Sequence, residues 1–138
     1  MTQTDLEHQK TAEPTQFPMK LWIYTNYDCN LRCAYCVAES SPRAPRRAIE
    51  LAAVQKIVDQ AVELGFESLF FTGGEPFILD EIYAMMAYSA ERVPTTILTN
   101  AMLFRGKRLQ RLTDIHSKNL TIQVSLDGSR PEHHDPFR

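Results

Sequence analysis

No apolar run in the 138-residue chain approaches the ~20 positions that a membrane-spanning helix needs, so no helical span is read from it. Excess positive charge is also missing. Fifteen Lys and Arg against seventeen Asp and Glu give a net charge of −2, which excludes the broad basic footprint of a nucleic-acid-binding domain. The first eighteen residues hold Asp5, Glu7 and Glu13 but no apolar h-region, so they do not read as a secretory signal. Met1 to Pro18 reads as a disordered N-terminal tail, and 19–138 as a single domain. Cysteine is scarce and odd in number, three in all, so disulfides are not expected. A reducing, cytoplasmic setting would keep those thiols free. Hydrophobic residues make up 43%, too many for a disordered chain and enough for a core.

The three cysteines are Cys29, Cys33 and Cys36, inside the run Cys29-Asn30-Leu31-Arg32-Cys33-Ala34-Tyr35-Cys36. Their C-x3-C-x2-C spacing lets three thiolates converge on one inorganic centre. A structural zinc ion takes four protein ligands, and His133 or His134 would have to supply the fourth. An iron–sulfur cube normally takes four thiolates, so three leave one iron without a protein ligand and open to a small molecule. Further on, Leu69-Phe70-Phe71 reads as a buried strand that runs into Thr72-Gly73-Gly74-Glu75-Pro76. Paired glycines let a backbone approach a ligand closely. Glu75 stands beside them as a candidate partner for a cation, and Pro76 stiffens the exit by fixing its own φ.

Hydrophobic runs and helical patterns alternate along the chain. Leu21–Thr25 reads as strand one. Val54, Ile57, Val58, Ala61 and Val62 then fall on one helical face, which Gly65 terminates. Glu67–Thr72 is strand two. Asp80 reads as the cap of a helix to Arg92, with Ile82, Met85 and Met86 inward, and Pro94 breaks it. Thr95–Thr99 is strand three, Arg105 to about His116 a helix carrying Leu109 and Leu112, and Leu120–Leu126 strand four. Such alternation predicts an α/β fold with a parallel sheet and right-handed crossovers. Strands two to four start about 25–28 residues apart, the size of one βα unit. In such folds the chemistry gathers at the carboxyl ends of strands. The cysteine loop follows strand one, Gly73-Gly74-Glu75 follows strand two, Asn100 follows strand three, and Ser125 and Asp127 close strand four. All four groups are thereby expected on one rim.

The cysteine run and the Thr-Gly-Gly-Glu-Pro run together resemble the radical S-adenosylmethionine (SAM) superfamily, and Val124-Ser125-Leu126-Asp127-Gly128 is similar to the fourth strand of many members. The resemblance covers roughly Leu21 to Asp127. It implies a parallel (β/α) partial TIM barrel, of whose six βα units about four are present. It also implies a [4Fe–4S] cluster on Cys29, Cys33 and Cys36 whose open iron binds SAM. Reductive cleavage of SAM would give a 5′-deoxyadenosyl radical that abstracts hydrogen from a peptide or a small cofactor precursor. By the same resemblance Tyr35 flanks the adenine, Gly73 and Gly74 face the methionine end, Glu75 meets its ammonium, and Ser125 bonds near the ribose or carboxylate. Asp127 would stiffen the rim or face substrate, and Thr99 and Asn100 would point over substrate. An electron donor of flavodoxin or ferredoxin type is implied as a partner.

Strands five and six are not seen, so a truncated chain is expected. The other functional class in view is therefore a non-catalytic remnant or metal-binding module. An inner sheet face carrying Trp22, Phe70 and Ile97 would be left open to self-association. Arg43, Arg46 and Arg47 read as a solvated loop, and His8 and His116 as surface positions.

Overall fold

The computed structural model describes residues 19–138. The tail reading for 1–18, and His8 with it, lies outside the described residues. Four strands, β1 (Lys20–Asn26), β2 (Ser68–Gly73), β3 (Thr95–Thr99) and β4 (Leu120–Val124), alternate with α1 (Leu51–Glu63), α2 (Ile82–Ala90) and α3 (Gly106–Thr113). A short α4 (Pro131–His134) and a single 3-10 turn, Asp135–Phe137, follow. Every strand pair is parallel and the order is β1-β2-β3-β4. Consecutive strands are thus always neighbours, with no reversal of order inside the sheet. This is the winding of a barrel segment, not of a doubly wound sheet.

Side chains alternate across the sheet because the strand period is two. One register row, Ile23–Phe71–Ile97–Ile122, faces the helices and forms the core with Val54, Val58, Phe77 and Met86. The next row, Trp22–Phe70–Thr96–Thr121, faces the open side. There Trp22 and Phe70 stack at 4.4 Å, and Trp22 stays 50% exposed. Ile97 was expected on this open face. It is fully buried under the helices instead, and its neighbours Thr96 and Leu98 take the open side, since one step along a strand changes the face.

α1 buries Val54, Val58 and Ala61, while Val62, expected with them, is 42% exposed at the edge of that stripe. Its end is set by Gly65, at φ +81°: Gly65 N–H donates to Val62 and Phe66 N–H to Ala61, which satisfies two terminal carbonyls. Two helix expectations are corrected. α2 starts at Ile82, and Asp80 does not cap it but pairs with Arg111 at 3.3 Å. α3 buries no residue; Leu109 is 42% exposed and only Leu112 packs against the core. Met85 and Met86 are core residues, as read.

Candidate functional site

The carboxyl ends of the four strands meet at one cavity of about 150 Å³. Cys29, Cys33, Tyr35 and Cys36 line it from the loop after β1, Gly73, Gly74 and Glu75 from the end of β2 and the turn after it, Thr99 and Asn100 from the end of β3 and just beyond, and Ser125 from just after β4. The structure therefore gathers the residues that the sequence placed on one rim, all but Asp127.

The loop after β1 is pinned to the glycines by backbone. Gly74 N–H donates to the Asn26 carbonyl at 2.8 Å, and Glu75 N–H to the Asp28 carbonyl at 3.1 Å. A Cβ at Gly74 would lie 2.0 Å from the Asp28 oxygen; one at Gly73, whose φ is +121°, would lie 2.3 Å from the Asn26 oxygen. The glycines were read as making room for a ligand. Their first task is to let two chain segments of the protein touch. Asn26, which sequence reading passed over, completes the joint: its Nδ2 donates to the Asp28 carbonyl, the Asp28 carboxylate and the Glu75 carbonyl at 2.8–3.2 Å, and it is 1% exposed. A polar Thr25-Asn26 pair closing an otherwise apolar strand was the available signal.

Glu75 is also buried, at 1% exposure. Its Oε1 accepts from Phe77 N–H (3.1 Å) and the Thr99 hydroxyl (2.8 Å), and its Oε2 from Asn100 N–H (2.9 Å). Burial pushes its carboxyl above the usual range, and these hydrogen bonds pull back only part of that. Thr99 was expected to point over substrate; it is buried and turns its hydroxyl to Glu75. Asn100 Nδ2 reaches the cysteine loop, at 2.9 Å from Asn30 Oδ1 and 3.9 Å from Cys29 Sγ.

The thiols are all free and half-buried. Burial raises the Cys29 thiol above its ordinary value; the neighbouring Glu75, Cys33 and Cys36 add to this, and the Leu31 N–H opposes it. Among the described residues, no three His, Cys, Asp or Glu side chains stand close enough to hold a single metal ion. Thiolates on one tetrahedral zinc would sit about 3.8 Å apart, whereas a cube spreads three thiolates over three irons. Neither His133 nor His134 lines the cavity. His134 Nδ1 accepts from Asp127 N–H, and His133 packs against Gly128. The fourth ligand of a zinc site is therefore not gathered with the thiols.

Two further residues went unread. Ser40 is 5% exposed, lines the same cavity, and its hydroxyl has no hydrogen-bond partner. A buried hydroxyl left so is costly unless a bound group completes it. Arg138 reaches the cavity from the far end of the chain. Asp127, by contrast, does not line it; its carboxylate takes the Tyr35 hydroxyl at 2.7–2.8 Å and Arg138 Nε, and the Tyr35 bond above all holds it below the usual carboxylate range. Arg43, Arg46 and Arg47 are exposed, as a solvated loop requires.

Comparison with known proteins is consistent with this geometry. The model of the Radical SAM superfamily matches residues 23–138. Over 131 residues the chain is 30% identical to the antilisterial bacteriocin subtilosin biosynthesis protein AlbA of Bacillus subtilis, covering 93% of this chain and 29% of AlbA. It is 38% identical over 110 residues to the GTP 3′,8-cyclase of Rhodococcus opacus, covering 76% and 31%. Among solved structures, Streptococcus suis SuiB bound to S-adenosylmethionine matches with a TM-score of 0.75 at 30% identity, over 88% of this chain and 28% of that one. SuiB bound to precursor peptide SuiA matches at 0.69 and 31%, over 85% and 28%. The chain thus spans under a third of the length of these relatives.

Proposed function

Because the chain belongs to the radical SAM superfamily, we propose that it forms the cluster- and SAM-binding part of an enzyme that abstracts hydrogen from a peptide substrate. The observation that carries this reading is the convergence of three thiols, the Gly73-Gly74-Glu75 turn and Ser125 on one cavity. Cys29, Cys33 and Cys36 would hold a [4Fe–4S] cluster. The donor set fits that group: three free thiols share the cavity without closing on one ion, and the unpartnered Ser40 hydroxyl lies beside them. When bound, the cluster supplies an electron to the sulfonium of SAM and so a 5′-deoxyadenosyl radical.

The chain's own residues orient and shield. Gly73 and Gly74 present backbone to the methionine end of SAM. Glu75, already bound by three donors, offers its remaining lone pairs to the ammonium while keeping the Asn100 turn in place. Ser125 meets the ribose or carboxylate side, and Tyr35, its hydroxyl fixed by Asp127, flanks the adenine. A flavodoxin- or ferredoxin-like donor would deliver the electron, and the setting would be cytoplasmic.

A peptide substrate is favoured by SuiB, whose structure holds a precursor peptide, and by the bacteriocin biosynthesis role in AlbA's name. The likeness to GTP 3′,8-cyclase supports a small-molecule substrate as the second reading.

Anaerobic reconstitution tests the proposal. The protein should take up about four irons per chain, lose them on replacement of Cys29, Cys33 or Cys36 by alanine, and change its reduced-cluster spectrum when SAM is added. Zinc in place of iron, with no iron uptake, would overturn it.

A further inference from the structure

The three thiols are not held alike. Cys29 Sγ accepts the Leu31 N–H at 3.4 Å and the Asn100 side-chain amide at 3.9 Å, and Cys36 Sγ the Ser40 N–H at 3.3 Å, all of them neutral donors. Cys33 Sγ instead meets a charged donor, Arg138 Nη1 at 3.8 Å, from 105 residues away in sequence. The stretch around Cys33 to Cys36 is turn, with neither helix nor strand to stiffen it. Inside the loop it has the Cys36 N–H to Cys33 carbonyl bond at 3.2 Å and the Glu39 N–H to Cys36 carbonyl bond at 3.0 Å; its ties to the rest of the fold come from beyond β4. Ala34 N–H donates to the Phe137 carbonyl at 3.1 Å. Asp127 takes the Tyr35 hydroxyl with both carboxylate oxygens and Arg138 Nε with one. The guanidinium lies 5.7 Å from the Tyr35 ring centre, and His134 holds the Asp127 N–H at 3.2 Å.

We propose that Asp127 and Arg138 are positioning residues for the cluster. Asp127 clamps the Cys33–Cys36 turn through Tyr35 and aims Arg138, which delivers a charged N–H to the Cys33 sulfur and biases the cluster towards its reduced state. This rests on the cluster reading above. The physical reasons are general. Outer partners of a ligand orient it and tune the metal, and hydrogen bonds to the sulfurs together with net charge set the potentials of iron–sulfur centres. A positive charge beside one ligand stabilises the state that carries the extra electron. The arrangement also divides the labour: Asp127 acts on shape, Arg138 on charge.

The test compares wild type with Asp127→Ala, Arg138→Gln and Arg138→Lys. On metal-free protein, hydrogen exchange read by mass spectrometry should speed at least tenfold in Asp127→Ala for the peptide holding Ala34 to Cys36, with α1 unchanged. On protein loaded anaerobically with iron and sulfide, a redox titration followed by electron paramagnetic resonance reads the charge. At the wild-type midpoint, Arg138→Gln should show a tenfold lower ratio of reduced to oxidised cluster, a 59 mV negative shift for one electron. Arg138→Lys, which keeps the charge, should recover at least half of that shift. A purely structural segment would loosen exchange and leave the potential in place, so a wild-type midpoint in Arg138→Gln overturns the charge role. Unchanged exchange in Asp127→Ala overturns the clamp; if that variant unfolds throughout, the Arg138 pair decides. A wild-type chain that loads no iron removes the cluster reading and the charge role with it, and the exchange result then judges the clamp alone.

Discussion

Replacing Glu75 by alanine should be among the most damaging single changes in this chain, and the reason is countable. The carboxylate is 1% exposed and serves three donors: Phe77 N–H, the Thr99 hydroxyl and Asn100 N–H. A hydroxyl can rotate to a new partner; the two backbone N–H groups cannot. Each buried donor left unmet costs about 1–3 kcal/mol, so the pair costs about 2–6 kcal/mol. Against a total stability of about 5–15 kcal/mol, that is a large share. With a urea slope of about 2 kcal/mol/M, a loss of about 4 kcal/mol lowers the midpoint by about 2 M. Glutamine keeps one acceptor but turns an NH2 towards Asn100 N–H, so Glu75→Gln should lose about 1–3 kcal/mol. Far-UV circular dichroism of the reduced protein in urea reads both. The pH dependence has a definite sign. Because burial raises the folded-state pKa of Glu75, the stability from its protonated form is complete below the unfolded value, near 4.5, and is lost as pH rises through the higher folded value. The gap between wild type and Glu75→Gln should therefore widen on acidification through that window. An alanine variant within about 0.5 kcal/mol of wild type, or a gap that narrows on acidification, would refute this account of the residue.

Gly74→Ala should destabilise the protein and abolish the SAM response together, because its Cβ meets the Asp28 carbonyl at 2.0 Å and backbone there has no room to give; thermal unfolding beside SAM titration checks it. Tyr35→Phe should raise the titration midpoint of Asp127, whose depression owes most to the Tyr35 hydroxyl, as followed by carbon NMR of the carboxylate. The open sheet face, where Trp22 is 50% and Tyr24 46% exposed, should drive self-association of the isolated chain; light scattering should show Trp22→Glu with Tyr24→Glu shifting it towards monomer.

Much of the architecture was legible because it is periodic. The spacing of Val54, Val58 and Ala61 and the alternation in β1 to β4 are local statements about which face is wet. So was the shared rim, which follows from parallel strands having all their carboxyl ends on one side. Errors arose where a face is only partly covered. Val62 and Leu109 have helical spacing but stay 42% exposed, and Ile97 was displaced by one step of a period-two pattern. The least legible features were contacts at long range. The polar end of β1 marks Asn26, but not that the partner of its amide is Glu75, 49 positions on. Arg138 carries no local signal of a partnership with Cys33.

That last separation has a consequence in time. A ribosome adds about 5–20 residues per second, so about 5–20 s pass between the synthesis of Cys33 and that of Arg138, 105 positions later. β1 and its thiols emerge early, yet the carbonyl that holds Ala34, the carboxylate that holds Tyr35 and the guanidinium beside Cys33 all emerge about a hundred positions later. Through that interval the cysteines are reactive ligands on a slack loop, open to oxidants and to adventitious ions. Loading the metal before Arg138 emerges would catch the loop before its shape exists; loading after it has emerged and folded back would meet a finished socket.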